Sequence, residues 1–141
     1  MFYSETKEIS TQKNEMIDIT GEILDVLRRS GLKNGTLTVE VPHSTAGVVR
    51  TTGGLPEVAE DVVYTVKSLV PSRITFKHEE SPDDAAGHIK CALFGGAVTS
   101  IIEDGKPVSG DKLHWFFMEY DGPRLRRFCV CAMGEGKGEG K

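Results

Sequence analysis

Apolar positions along the chain switch between two periods, and the switches divide it into elements. From Phe2 to Ile9 the period is two, with Phe2, Ser4, Thr6 and Glu8 on one side and Tyr3, Glu5, Lys7 and Ile9 on the other, which predicts a first strand. Met16, Ile19, Ile23 and Leu27 then recur at spacings of three and four, the stripe of an amphipathic helix. Arg28 and Arg29 suit the C-terminal end of that helix dipole, and Gly31 suits the position just past it. Asn34-Gly35 reads as a turn into an extended run from Thr36 to Val41, with Leu37, Val39 and Val41 on one face.

A second helix is predicted from Pro56 to Leu69. Pro56 fits the first helical turn, Glu57 and Glu60 favour its positive end, and Pro71 blocks continuation. Its expected buried stripe is Leu55, Val58, Val62, Val66 and Leu69. Ile74 to Lys77 reads as a short strand. Ser81 and Pro82 then open a third helix that carries His88 and Lys90 and fades before Gly95-Gly96. Three strands follow, Val98 to Ile102, Leu113 to Tyr120 and Leu125 to Ala132, with Asp104-Gly105 as a hairpin turn before the second. Helices early and strands late predict an α+β class, a mainly antiparallel sheet packed with two to three helices. The chain divides into one domain over residues 1–133 and a flexible Gly/Glu/Lys tail over 134–141.

Composition narrows the possibilities. With 141 residues, 38% apolar and 27% charged, the chain suits one soluble domain with a real core. A formal charge of −4 argues against nucleic-acid binding, which runs on clustered Lys and Arg, and no apolar run is long enough for a membrane span. Residues 1–10 lack a signal-peptide core. Cys91, Cys129 and Cys131 cannot all pair within one chain, and buried, reduced thiols in a cytoplasmic protein are the expectation.

Chemistry concentrates in a few places. Val41-Pro42-His43-Ser44-Thr45-Ala46-Gly47 puts an imidazole and two hydroxyls where a strand ends, with a backbone free to turn at Gly47; the segment reads equally as a strand cap. His43, His78 and His88 lie at element ends, in a spacing that matches no one-helix metal motif; convergence in space would make them three imidazole ligands of zinc or another divalent ion such as magnesium. His114, flanked by Leu113 and Trp115, reads as structural or interfacial. Serine hydrolysis is disfavoured, because His43 and Ser44 would point to opposite faces and no Gly-x-Ser-x-Gly elbow exists. Arg124 and Arg126 share one face of an extended segment as phosphate anchors or as a solvated strand edge.

Three blocks in order resemble the YjbQ-like family, often labelled secondary thiamine-phosphate synthases. They are Val41-Pro42-His43-Ser44-Thr45-Ala46-Gly47, His88-Ile89-Lys90-Cys91-Ala92-Leu93-Phe94-Gly95, and Glu119-Tyr120-Asp121-Gly122-Pro123-Arg124-Leu125-Arg126-Arg127, with His78 upstream of the second. The resemblance implies a trimer-forming α+β fold and a transferase that joins a pyrimidine methyl pyrophosphate to a thiazole phosphate, releasing pyrophosphate. It carries interest onto His43, Asp61 and His88 as catalytic groups and onto Thr45, Glu119 and Arg124 for substrate, joined by Ser44 and Arg126 from the readings above. Two stretches depart from the family pattern. Thr51-Thr52-Gly53 stands where members have Asn-Glu-Asn, and Gly110-Asp111-Lys112-Leu113 where they have Gly-Thr-Trp-Gln. The leading expectation is a small homotrimeric enzyme of phosphorylated metabolites, in which His43, His78 and His88 hold a metal or move protons. The alternative is a non-catalytic binder of a phosphorylated small molecule that keeps the fold and the anion pocket.

Overall fold

The computed structural model describes residues 1–72, 76–78 and 81–138. In chain order the elements are β1 (Phe2–Ser10), β2 (Met16–Asp18), α1 (Thr20–Ser30), β3 (Leu32–Glu40), β4 (Ala46–Thr52), α2 (Pro56–Leu69), α3 (Pro82–Phe94), β5 (Ala97–Glu103), β6 (Lys106–Pro107), β7 (Leu113–Glu119) and β8 (Leu125–Gly136). They form two antiparallel sheets, one ordered β1-β8-β3-β5-β6 and the other β2-β7-β4, so the class is α+β as the late strands predicted.

The main core lies between the sheets. Leu37 and Val39 of β3, Phe128, Val130 and Ala132 of β8, and Trp115 and Phe117 of β7 are all at most 1% exposed, closed off by Ile23, Val26 and Leu27 of α1. Period-two alternation gives β7 a second apolar face: Phe116 and Met118, with Tyr120 just beyond the strand, meet Val62 and Val66 of α2 and Cys91 and Phe94 of α3. The small sheet is therefore a middle layer, and α2 and α3 are the outer one.

Several boundaries differ from the expectation. Met16 belongs to β2, opposite Met118, and α1 begins only at Thr20; a short strand abutting a helix imitates one helical stripe. Gly31 does close α1, in the left-handed conformation. Asn34-Gly35 makes no turn, because β3 runs through it. Gly35 and Gly134 instead let two backbones cross, since a Cβ at either would lie 2.1–2.2 Å from a carbonyl oxygen of the other strand. That crossing carries β8 on to Gly136, so residues 134–136 are sheet rather than tail. Asp104-Gly105 does turn a hairpin, but into β6; β7 lies in the other sheet. Gly47 sits inside β4, a strand the residue pattern did not reveal, where the Gly95 carbonyl leaves no room for a side chain. The predicted Ile74 to Lys77 strand lies largely outside the described residues. Helix α2 has the predicted bounds yet no buried residue, and Leu55 and Leu69 are 47% and 65% exposed, because only part of its stripe meets the sheet.

Candidate functional site

Helix α3 delivers the first group of polar residues. Ser81 caps it, its hydroxyl accepting from the Asp84 N–H at 3.0 Å, which fixes Asp84 in the first turn where the helix dipole favours a carboxylate. Four residues on, His88 falls on the same face as Asp84. Asp84 Oδ2 lies 2.5 Å from His78 Nε2 and 3.3 Å from His88 Nε2, and the two rings meet edge-on with centroids 5.1 Å apart. One ligand atom from each of these three residues lies within 4.8 Å of the others, the arrangement of a two-histidine, one-carboxylate metal set. Both imidazoles are just over 40% exposed and the carboxylate 12%. The His78 hydrogen bond, outweighing burial, holds Asp84 below the usual carboxylate range, and His88 adds to it. Electronically the donor set suits zinc or a related divalent ion, and its position half in solvent leaves access for a further ligand.

His43 is not part of this cluster. Its Nε2 accepts the Arg127 backbone N–H at 3.0 Å. The β3–β8 ladder stops at Glu40 opposite Cys129, so the imidazole takes up an N–H that a longer β3 would have paired. Burial, then the positive Arg126 and Arg127, lower its pKa, so it stays neutral with the proton on Nδ1. Within one chain the residue that meets His78 and His88 is therefore Asp84 rather than His43, and its four-residue spacing from His88 is the sequence signal for it. Helix α3 nevertheless lies against the His43 segment. The Cys91 thiol donates to the His43 carbonyl at 3.5 Å, and Gly87 fits where a Cβ would stand 3.2 Å from Thr45.

Three of the residues expected to hold substrate form a second, buried group. Arg126 donates through Nε to Glu119 Oε1 at 2.8 Å and through Nη2 to Glu119 Oε2 at 2.6 Å and Thr45 Oγ1 at 2.7 Å. The Thr11 hydroxyl and the Asp121 N–H complete the carboxylate. Burial pushes the Glu119 carboxyl up, but the Arg126, Thr11 and Asp121 hydrogen bonds outweigh it and leave it lowered. The Thr45 hydroxyl, the Glu119 carboxylate and the Arg126 Nε and Nη2 are thus spent within this group, which gives the three residues a framework role. Ser44 is exposed in the connecting turn. Asp61 lines a separate crevice of about 440 Å³ with Thr51, Phe94 and Tyr120, which none of the histidines reaches. Arg124 is half exposed and anchored by one bond to Asp121 at 2.9 Å. Asp121 first, and Asp84 more weakly, raise its pKa, which places it within electrostatic reach of the α3 cluster.

The family model described as UPF0047 protein YjbQ-like matches residues 5–135. The chain belongs to the YjbQ-like family. It is 40% identical over 129 residues to a UPF0047 protein of Methanocaldococcus jannaschii, covering 91% of this chain and 92% of that one. It is 30% identical to the UPF0047 protein YugU of Bacillus subtilis, covering 89% and 94%. Among solved structures it is similar to a YbjQ-like protein of unknown function from Sulfolobus solfataricus, with TM-score 0.90, 29% identity and coverage of 96% and 99%. It is also similar to a hypothetical protein from Aeropyrum pernix, with TM-score 0.87, 27% identity and coverage of 94% and 99%. Among the described residues of this family member no helix is long and apolar enough to cross a membrane.

Proposed function

We propose that the protein is a small metal-assisted enzyme of phosphorylated metabolites, with His78, Asp84 and His88 holding a divalent ion and Arg124 holding phosphate. The observation that carries this reading is the convergence of two imidazoles and one carboxylate within 4.8 Å on a half-exposed face, with a largely unspent guanidinium nearby. The bound ion would neutralise phosphate oxygens as a Lewis acid. Arg124 has five N–H donors and spends one on Asp121, so it can grip an anion without giving up its anchor. His43, held neutral, keeps a donating Nδ1–H while its Nε2 fastens the strand end. The thiamine-phosphate synthase-like transfer implied by the family resemblance, with pyrophosphate as leaving group, fits this division of labour. Exposed Leu55 just before α2, Tyr64 and Leu69 on α2 and Leu93 on α3 support assembly with further copies, with a homotrimer expected by light scattering. Three free thiols support a reducing, cytoplasmic setting.

The test is calorimetry with zinc or magnesium, followed by pyrophosphate. Asp84→Ala and His88→Ala are expected to abolish stoichiometric metal binding while His43→Ala keeps it; equal loss in all three would remove the basis for the assignment. Turnover of a pyrimidine methyl pyrophosphate with a thiazole phosphate separates the enzyme from a binder. Tight pyrophosphate binding without product favours the binder, which the loss of Asn-Glu-Asn at Thr51-Thr52-Gly53 would explain.

A further inference from the structure

A groove of about 1090 Å³ lies away from the α3 cluster, between α1, the β6 turn and the start of β7. His43, His78, His88 and Arg124 do not line it. At its edge sits an aspartate–histidine pair that the proposed reaction does not use. His114 Nδ1 lies 2.6 Å from Asp18 Oδ2, and Asp18 Oδ1 accepts the Thr20 N–H at 3.0 Å. Burial pushes the Asp18 carboxyl up, but the hydrogen bonds from His114 and Thr20 outweigh it, so Asp18 is ionised and can only accept. In its neutral form the imidazole therefore carries its proton on Nδ1 and presents a lone pair at Nε2.

The ring is held from its other sides as well. Gly53 lies against it so closely that a Cβ there would fall 2.0 Å from a ring carbon, and Phe116 stacks at 6.3 Å with planes 25° apart. His114 nonetheless remains 25% exposed. Both stretches that depart from the family pattern meet here, since Gly53 also donates its N–H to the Lys112 carbonyl at 2.9 Å. The groove walls are mainly apolar, with Leu24, Leu27, Pro107 and Leu113, and include Trp115, whose buried indole Nε1–H has no partner among the described residues. Charges of both signs line the groove equally, with Asp18, Glu22 and Asp111 against Arg28, Lys106 and Lys137.

We propose that this groove is a second ligand site, which takes a small aromatic molecule whose hydroxyl or ring N–H donates to His114 Nε2. An oriented acceptor, apolar walls and balanced charges favour a flat, neutral ring with one donor over an anion. The Asp18 bond makes His114 a stronger acceptor, because each hydrogen bond in such a chain polarises the next.

The matched probes are phenol, which donates, and anisole, which cannot, titrated into the full-length protein with the His114 ring followed by nitrogen-detected NMR. Phenol is expected to bind in the millimolar range, to move the His114 Nε2 resonance and to bind roughly fivefold tighter than anisole. His114→Phe should erase that preference and leave anisole binding unchanged. Asp18→Asn, which keeps the ring but lets the proton shift to Nε2, should also erase it, and it serves if His114→Phe does not fold. The proposal is overturned if neither probe binds, if phenol binds without moving His114, or if the variants lower stability while the preference persists. A groove covered by another copy of the chain would give the first of these results.

Discussion

Two constellations in this molecule are built from the same kinds of group and behave oppositely. Glu119 and Arg126 are buried, and both carboxylate oxygens and the Arg126 Nε and Nη2 are taken by Thr11, Thr45, Asp121 or the partner charge. His78 and His88 sit nearly half in water around the mostly buried Asp84 carboxylate, with three potential ligand atoms crowded together. Burial turns a carboxylate and a cation into framework, because an unsatisfied charge there costs several kcal/mol. Exposed imidazole partners leave the carboxylate between them free to change partners. Residues of one sequence block can thus divide between the two roles, as Arg126 and Arg124 do two positions apart.

The sharpest way to break that contrast is to remove one member of the buried pair. Arg126→Ala should cost about 3–5 kcal/mol, because it strands an ionised Glu119. The double change Arg126→Met with Glu119→Leu should recover most of that loss in urea denaturation. A single-variant loss below about 1 kcal/mol would mean that the pair is not framework. In the α3 cluster, where the imidazole partners are exposed, Asp84→Ala should cost less, about 1–2 kcal/mol without metal. Zinc at a hundredfold excess over its dissociation constant should stabilise the wild type by about 2.7 kcal/mol and the variant not at all, read from the melting temperature.

Acid sharpens the comparison less steeply. His43 has a lowered pKa, so the unfolded chain takes up a proton that the folded chain refuses. Stability conferred by the neutral imidazole is complete above about pH 6.5 and declines as pH falls through the folded value. The depressed carboxyls of Asp84 and Glu119 act further down: their contribution is present above about pH 4 and is lost below it. Melting curves from pH 8 to pH 3 should therefore show two descents, and His43→Gln should remove the upper one; a wild type with a flat profile between pH 7 and pH 5 would refute the assignment. Arg124→Ala should have the smallest effect on stability, at most about 1 kcal/mol, because the Arg124–Asp121 pair is half exposed. Its weight should fall on pyrophosphate affinity instead, lowered roughly tenfold when measured with metal present.

Periodicity located most of the elements. It placed α2 from Pro56 to Leu69 and the start and end of α3, because proline, a serine cap and glycine punctuate those ends locally. It failed where tertiary contact decides. The stripe of α2 says apolar but not against what, and Val62 and Val66 alone among its expected members pack on the Phe116 cluster. Gly35 looked like a turn because a close backbone crossing and a turn both demand glycine. In the site, His78 and His88 are expected to converge together with His43, and which of the three meet is not legible, since His43 and His78 lie outside any element. Asp84 was legible only as a helix-start carboxylate until its four-residue spacing from His88 was given a third dimension. Glu119 and Arg126 look like a binding pair in one dimension, because sequence carries no measure of burial.

One property of β8 reaches into the order in which the chain can fold. The strand lies between β1 and β3, so the large sheet joins residues 2–10 to residues 125–136. The N-terminal amine even donates to the Gly134 carbonyl, 133 positions away. Until β8 is available, β1 has no neighbour in its sheet, and β3 pairs with β5 alone. Such distant pairings close slowly, on the millisecond-to-second scale of strand-rich topologies. A ribosome holding back the β8 segment would thus present a nascent chain with two open strand edges, the state in which a chaperone would find it.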